Sequence, residues 1–110
     1  LDENTQLQIK RGVVLNEVLK QERFSPLTMA AEVILLYCAT SDKFNFLATE
    51  DITEFYTAFF ADIRLRHPNI FEEITDGKVF TDEIKSEIDS AYEEFKETFL
   101  VEHEEYVEDY

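Results

Sequence analysis

The chain has 110 residues, 45% of them apolar, with two Gly, two Pro, one Cys and a formal net charge of −15. That is enough for one hydrophobic core, and so few turn formers exclude an all-β domain with its many tight turns. The acid excess repels nucleic acid and anionic membranes, which leaves a basic protein partner or plain solubility as its use.

In chain order, Asp2–Thr5 supplies capping side chains, and Leu7, Val14, Leu15, Val18 and Leu19 recur at helical spacing. Residues 5–20 therefore read as a first helix. Gly12 inside it costs about 1 kcal/mol relative to alanine, which predicts that another group packs closely against its backbone. The charged run KQERFSP then reads as a connection, broken at Ser25-Pro26. A second helix over residues 28–41 places Met29, Val33, Leu36 and Tyr37 on one face and Ala30, Ala31, Ile34 and Leu35 on the other. Apolar nearly all round, it is the expected centre of the core. Cys38 lies in this run; a single cysteine forms no internal disulfide and fits a reducing compartment. With no His or cation beside it in sequence, it reads as a small buried thiol rather than a nucleophile.

SDKFNFLAT reads as a loop whose Phe44, Phe46 and Leu47 turn back onto the core. Thr49 is the expected cap of a third helix, with Glu50 and Asp51 at its positive pole and the stripe Ile52, Phe55, Tyr56, Phe59, Phe60, Ile63 along it. Arg64, Arg66 and His67 suit the opposite pole, and Pro68 ends the helix. NIFEEIT is expected to form a helical turn ending near Gly77, and Thr81 to cap a last helix carrying Ile84, Ile88, Ala91, Phe95 and Phe99. The expected architecture is all-α: a compact bundle of about five helices over residues 1–100, followed by a frayed or disordered acidic tail at 101–110.

Chemistry is hard to find. The acid is unevenly placed: residues 1–80 carry 13 acids against 8 Lys and Arg, residues 81–110 carry 12 against 2. No glycine-rich phosphate loop, nucleophile elbow or H-E-x-x-H zinc motif is present. His103 among Glu102, Glu104 and Glu105 offers loose ligands for a divalent cation, although a solvated acidic run explains it equally well. Neighbouring acids such as Glu72/Glu73 and Glu93/Glu94 have no apolar surroundings to raise a pKa, which argues against an acid/base dyad. Ten Phe and five Tyr can line a ligand pocket, but core packing is the better reading. No apolar run reaches the roughly 20 residues of a membrane span, and LDENTQ is neither a signal nor a transit peptide. An initial Leu suggests a piece of something longer. The residues alone thus indicate an acidic helical interaction module, with no catalytic residue and no metal site.

The order of residues is more specific than their composition. Thr5-Gln6, Arg11-Gly12, Leu15, Glu17, Leu19-Lys20-Gln21, Ser25-Pro26-Leu27 and Tyr37 follow one another as in a known pattern. Glu50-Asp51, Phe55, His67-Pro68, Glu73-Ile74, Gly77-Lys78 and Glu94-Phe95-Lys96 continue it. The sequence up to about Phe99 resembles the C-terminal helical domain of the alpha subunit of F-type ATP synthases. That resemblance implies a non-catalytic fragment of a longer subunit, whose upstream part holds a β-barrel domain and a nucleotide-binding domain carrying ATP or ADP with Mg. It implies ATP synthase beta subunits and the central stalk as partners. It also implies a place peripheral to an energy-coupling membrane, on its cytoplasmic or matrix side, without membrane insertion or secretion. Family members carry K-Q-x-Q near the bound adenine; Gln21 matches the first glutamine, whereas the second position is Arg23, which has donors only. The expected nucleotide-proximal residues are therefore Gln21 and Arg23, on a loop. Other departures are Val14 in place of a second basic residue and Cys38–Phe44 in place of a glycine-containing segment, which suggest a divergent or paralogous alpha-like subunit.

Overall fold

The structure, a computed structural model, describes residues 1–77 and 79–107; Lys78 of the Gly77-Lys78 pair and the last three residues of the acidic tail lie outside the described residues. The described residues form α1 (Glu3–Phe24), α2 (Met29–Thr40), α3 (Ile52–Arg66), α4 (Pro68–Gly77) and α5 (Asp82–Glu102), with 3-10 turns at Thr49–Asp51 and Glu104–Tyr106. The described residues are all-α with five α-helices, as the residue pattern predicts. It divides into two compact units, Leu1–Tyr56 and Thr57–Tyr110.

In the first unit, Asp2 Oδ1 accepts the Thr5 amide at 2.7 Å and starts α1 two residues earlier than periodicity suggests. The helix also runs on through KQERF, which corrects the reading of that stretch as a loop. Lys, Gln, Glu and Arg are good helix formers. Only at Ser25, which Pro26 drives out of the helical region to φ −144° and ψ 83°, does the helix stop. α1 buries Val14 and Val18, and α2 packs against it. Gly12 lies two residues from Val14, about 200° around the helix. A Cβ added there would meet nothing within 4 Å, so the expected close neighbour is absent.

Thr28 caps α2 by accepting the Ala31 amide at 3.3 Å, and the helix buries Ala30, Ala31, Ile34, Leu35, Cys38 and Ala39. Met29 instead faces outward. Phe44 and Leu47 fold back into the core as expected, and Phe44 and Phe46 set their rings edge-to-face with Phe55 at 5.8 and 5.5 Å. Two α1 side chains hold this segment. Arg11 donates from Nε and Nη2 to the two Asp42 carboxylate oxygens at 2.8 and 2.7 Å, and Lys10 Nζ donates to the Leu47 carbonyl at 2.8 Å. Asp42 has φ 64°, a left-handed conformation that Asp tolerates better than most residues. Thr49 does not cap α3; it opens the 3-10 turn that precedes Ile52.

In the second unit, Phe59, Phe60 and Ile63 of α3 are buried, as are Ile70 and Ile74 of α4 and Ile84, Ile88, Ala91, Tyr92 and Phe99 of α5. Pro68 occupies the first position of α4, where its missing N–H is no loss, so NIFEEIT belongs to a ten-residue helix rather than a single turn. Thr81 Oγ1 accepts the Ile84 amide at 3.2 Å and caps α5 as expected. Phe59 packs against Tyr92 and Phe95 with ring centroids 6.1 and 5.6 Å apart. α5 runs through Glu102 and a 3-10 turn follows at Glu104–Tyr106. The His103 imidazole stacks on Phe99 at 3.9 Å and donates from Nδ1 to the Phe99 carbonyl at 3.1 Å, closing the end of α5.

Candidate functional site

The sequence directs attention to the last turn of α1. Gln21 is half-buried, and its Nε2 donates to Glu17 Oε1 at 3.1 Å, an i, i+4 contact within the helix. One amide proton and the Oε1 lone pairs remain to face a ligand. Arg23 is exposed and makes no hydrogen bond or ion pair among the described residues. It sits where a cation suits the helix C-terminal pole. Two residues apart on a helix means about 200° of rotation, so Gln21 and Arg23 point in different directions. The structure does not bring them together.

What shares the Gln21 face is Phe24, three residues on, with its ring 77% exposed. Residue-by-residue reading missed Phe24, because it falls in the charged run that read as a connection. The signal was available in the i, i+3 spacing once the helix is continued to the break. Met29, the first residue of α2, is also exposed.

Acidic groups surround the inner side of the same turn. Burial pushes the Glu22 carboxyl above its usual range, and the neighbouring Glu32 charge adds to the shift. Glu22 Oε1 is buried without a hydrogen-bond partner. Burial likewise raises the Tyr56 hydroxyl, with smaller upward contributions from Glu22 and Glu17 and an opposing hydrogen bond from Thr53. The arrangement offers a planar amide edge and an aromatic face, which can recognise a heterocyclic base. It presents no nucleophile with an adjacent base.

Elsewhere, Cys38 is buried in α2. Among the described residues no group of three or more His, Cys, Asp or Glu is placed to hold a metal ion, and no helix is long and apolar enough to cross a membrane.

Comparison with known proteins gives this geometry its context. Residues 1–95 match the family described as ATP synthase alpha/beta chain, C terminal domain. The ATP synthase subunit alpha of Clostridium botulinum strain Eklund 17B is 34% identical over 102 residues, 93% of this chain and 20% of the relative. The ATP synthase subunit alpha of the Hall strain is 35% identical over the same share of each protein. The chain thus spans about a fifth of the length of the curated relatives it matches.

Proposed function

Because this protein belongs to the family of C-terminal domains of ATP synthase alpha and beta subunits, we propose that it serves as the C-terminal structural and regulatory domain of a non-catalytic alpha subunit in an F-type, ion-translocating ATP synthase. In this reading it packs against beta subunits and the central stalk, peripheral to an energy-coupling membrane on its cytoplasmic or matrix side. Nucleotide, ATP or ADP with Mg, is held by the preceding part of the same subunit. The observation that carries the reading is the match of residues 1–95, reinforced by alpha subunits aligned over 93% of the sequence.

The contribution of this domain to nucleotide binding follows from the last turn of α1. The Gln21 amide, steadied by Glu17, donates to and accepts from an adenine edge, and the exposed Phe24 ring supplies a stacking face. Arg23 lies on the far side of the helix and takes no part in that contact. A single neutral hydrogen bond contributes about 1 kcal/mol, so Gln21→Ala in the full subunit weakens adenine nucleotide binding roughly fivefold to tenfold. Phe24→Ala acts in the same direction, and Arg23→Gln leaves affinity within about twofold. Equilibrium titration with a fluorescent ATP analogue reads all three; an unchanged Gln21→Ala affinity removes the adenine role.

The subunit reading itself is tested by isolating the native polypeptide that carries this sequence. A product several times heavier than 13.0 kDa, yielding an upstream G-x-x-x-x-G-K-S/T peptide and co-purifying with a beta subunit, is the expected result. A native product that begins near Leu1 overturns it.

A further inference from the structure

α1 is apolar on two sides, and only one of them is covered. Val14 and Val18 are fully buried. Ile9, Val13 and Leu19 point about 100° to 180° away from that pair around the helix, and they are 53%, 40% and 50% exposed. Gly12 lies in the same sector, where an added Cβ would meet nothing within 4 Å. A helix at a protein surface turns one apolar stripe inward and presents polar residues outward; apolar residues on both sides mark a helix covered from both sides. The outward stripe ends in Lys20 and Arg23, both exposed and without a hydrogen bond or ion pair among the described residues. In a chain of net charge −15, that makes a basic edge.

Three observations identify what covers this face. The chain spans about a fifth of the length of its relatives and matches a family of C-terminal domains, so the rest of such a subunit lies upstream. α1 begins at Glu3, which tethers an upstream segment at the N-terminal end of the stripe. A helix that turns back there runs antiparallel to α1 after a short connection. Its own N-terminal turn then lies beside Lys20 and Arg23, where a carboxylate suits both its dipole and the two cations. We propose that the outward face of α1 docks a segment upstream of Leu1 in the same subunit. That segment is an amphipathic antiparallel helix whose apolar stripe covers Ile9, Val13 and Leu19 and whose first turn sets an acid against Lys20 and Arg23. The proposal rests on the subunit reading above, since the segment belongs to the longer polypeptide.

The experiment uses the full-length subunit in its purified complex. Val13→Cys is labelled with a maleimide, folded and in urea, and its own peptide is read by mass spectrometry. The expected labelling is at least about tenfold slower in the folded state, and weaker protection overturns the proposal. Benzoylphenylalanine in place of Leu19 then identifies the occupant by photo-crosslinking. The expected product keeps the mass of one subunit and joins this position to a peptide upstream of Leu1 that carries an Asp or Glu within one helical turn of the link. Reversing the two cations, Lys20→Glu with Arg23→Glu, lowers that yield at least about fivefold. Lys85→Glu with Lys96→Glu, an equal charge change in α5, leaves it within about twofold. Cys38, buried in α2, resists the same maleimide while the domain stays folded, which separates lost docking from unfolding. A link to another subunit, to a second copy or only within residues 1–110 overturns the docking and leaves the subunit reading intact. Equal yields from the two reversed pairs overturn it as well. A native polypeptide that begins near Leu1 removes the subunit reading and the docking together.

Discussion

The two units hold their helices by different means. In Leu1–Tyr56, α1 buries only Val14 and Val18 along its 22 residues and leaves Ile9, Leu19 and Phe24 half-exposed or more. Part of the order comes from polar reach: Arg11 and Lys10 cross to Asp42 and Leu47, tying down the irregular stretch between α2 and α3. In Thr57–Tyr110 the connection from α3 to α4 is His67 alone, and the core is a continuous set of Phe, Ile and Tyr side chains. The second unit also carries most of the charge, 16 acids against 5 Lys and Arg, compared with 9 against 5 in the first. A short connection needs no polar tie. A long one does, because its backbone entropy must be opposed by contacts distant in sequence.

Truncating the aromatic centre of either unit gives the largest effect. Phe55→Ala and Phe59→Ala each remove a fully buried ring with at least two aromatic neighbours, and each destabilises the protein by about 3–5 kcal/mol in urea unfolding. Comparable losses support two equally developed cores; a much smaller loss for Phe55 would mean that the polar ties dominate the first unit.

The ion pairs separate the units more sharply. Arg11→Met lowers Tm by a few degrees at pH 7, whereas Arg66→Met, which loses longer contacts to half-buried Asp62 at 3.2 Å and exposed Glu94 at 3.1 Å, changes it by less than about 2 °C. The Arg11 hydrogen bonds hold Asp42 below its ordinary value of 3.8. That contribution is fully present above the ordinary value and is lost as pH falls through the lowered one. The gap between wild type and Arg11→Met therefore closes below about pH 3.8, and a gap that persists there would assign the effect to packing.

Two smaller changes stabilise the first unit. Gly12→Ala gains about 1 kcal/mol, since the site is open and alanine is the better helix former. A loss instead, confined to the full-length subunit, would show that the covering segment presses directly on Gly12. Glu22→Gln gains less than about 1 kcal/mol at pH 7, because burial and Glu32 disfavour its ionised form and solvent screens part of that penalty. The raised carboxyl favours the folded state increasingly as pH falls through its shifted value, so the advantage of the glutamine fades in acid. Paired thermal melts at neutral and acid pH read the sign directly.

Most helices and stops were legible from neighbours within four residues, although Thr49 does not cap α3 and the last turn of α1 was read as a connection. The period-3.6 apolar stripes, Thr81 with its amide bond, and the Pro26 and Pro68 boundaries are local chemistry written directly in the sequence. The candidate site was half legible. Gln21 stood out by its place in a recognised order, whereas reading KQERF as a loop hid the 200° rotation that a helix places between Gln21 and Arg23. Only the tertiary arrangement decided the rest: that Arg11 reaches Asp42, that Gly12 faces open space, and that Phe24 is exposed beside Gln21. Those outcomes depend on which faces meet between segments roughly 10 to 30 residues apart, a choice made by burying the most apolar surface at once.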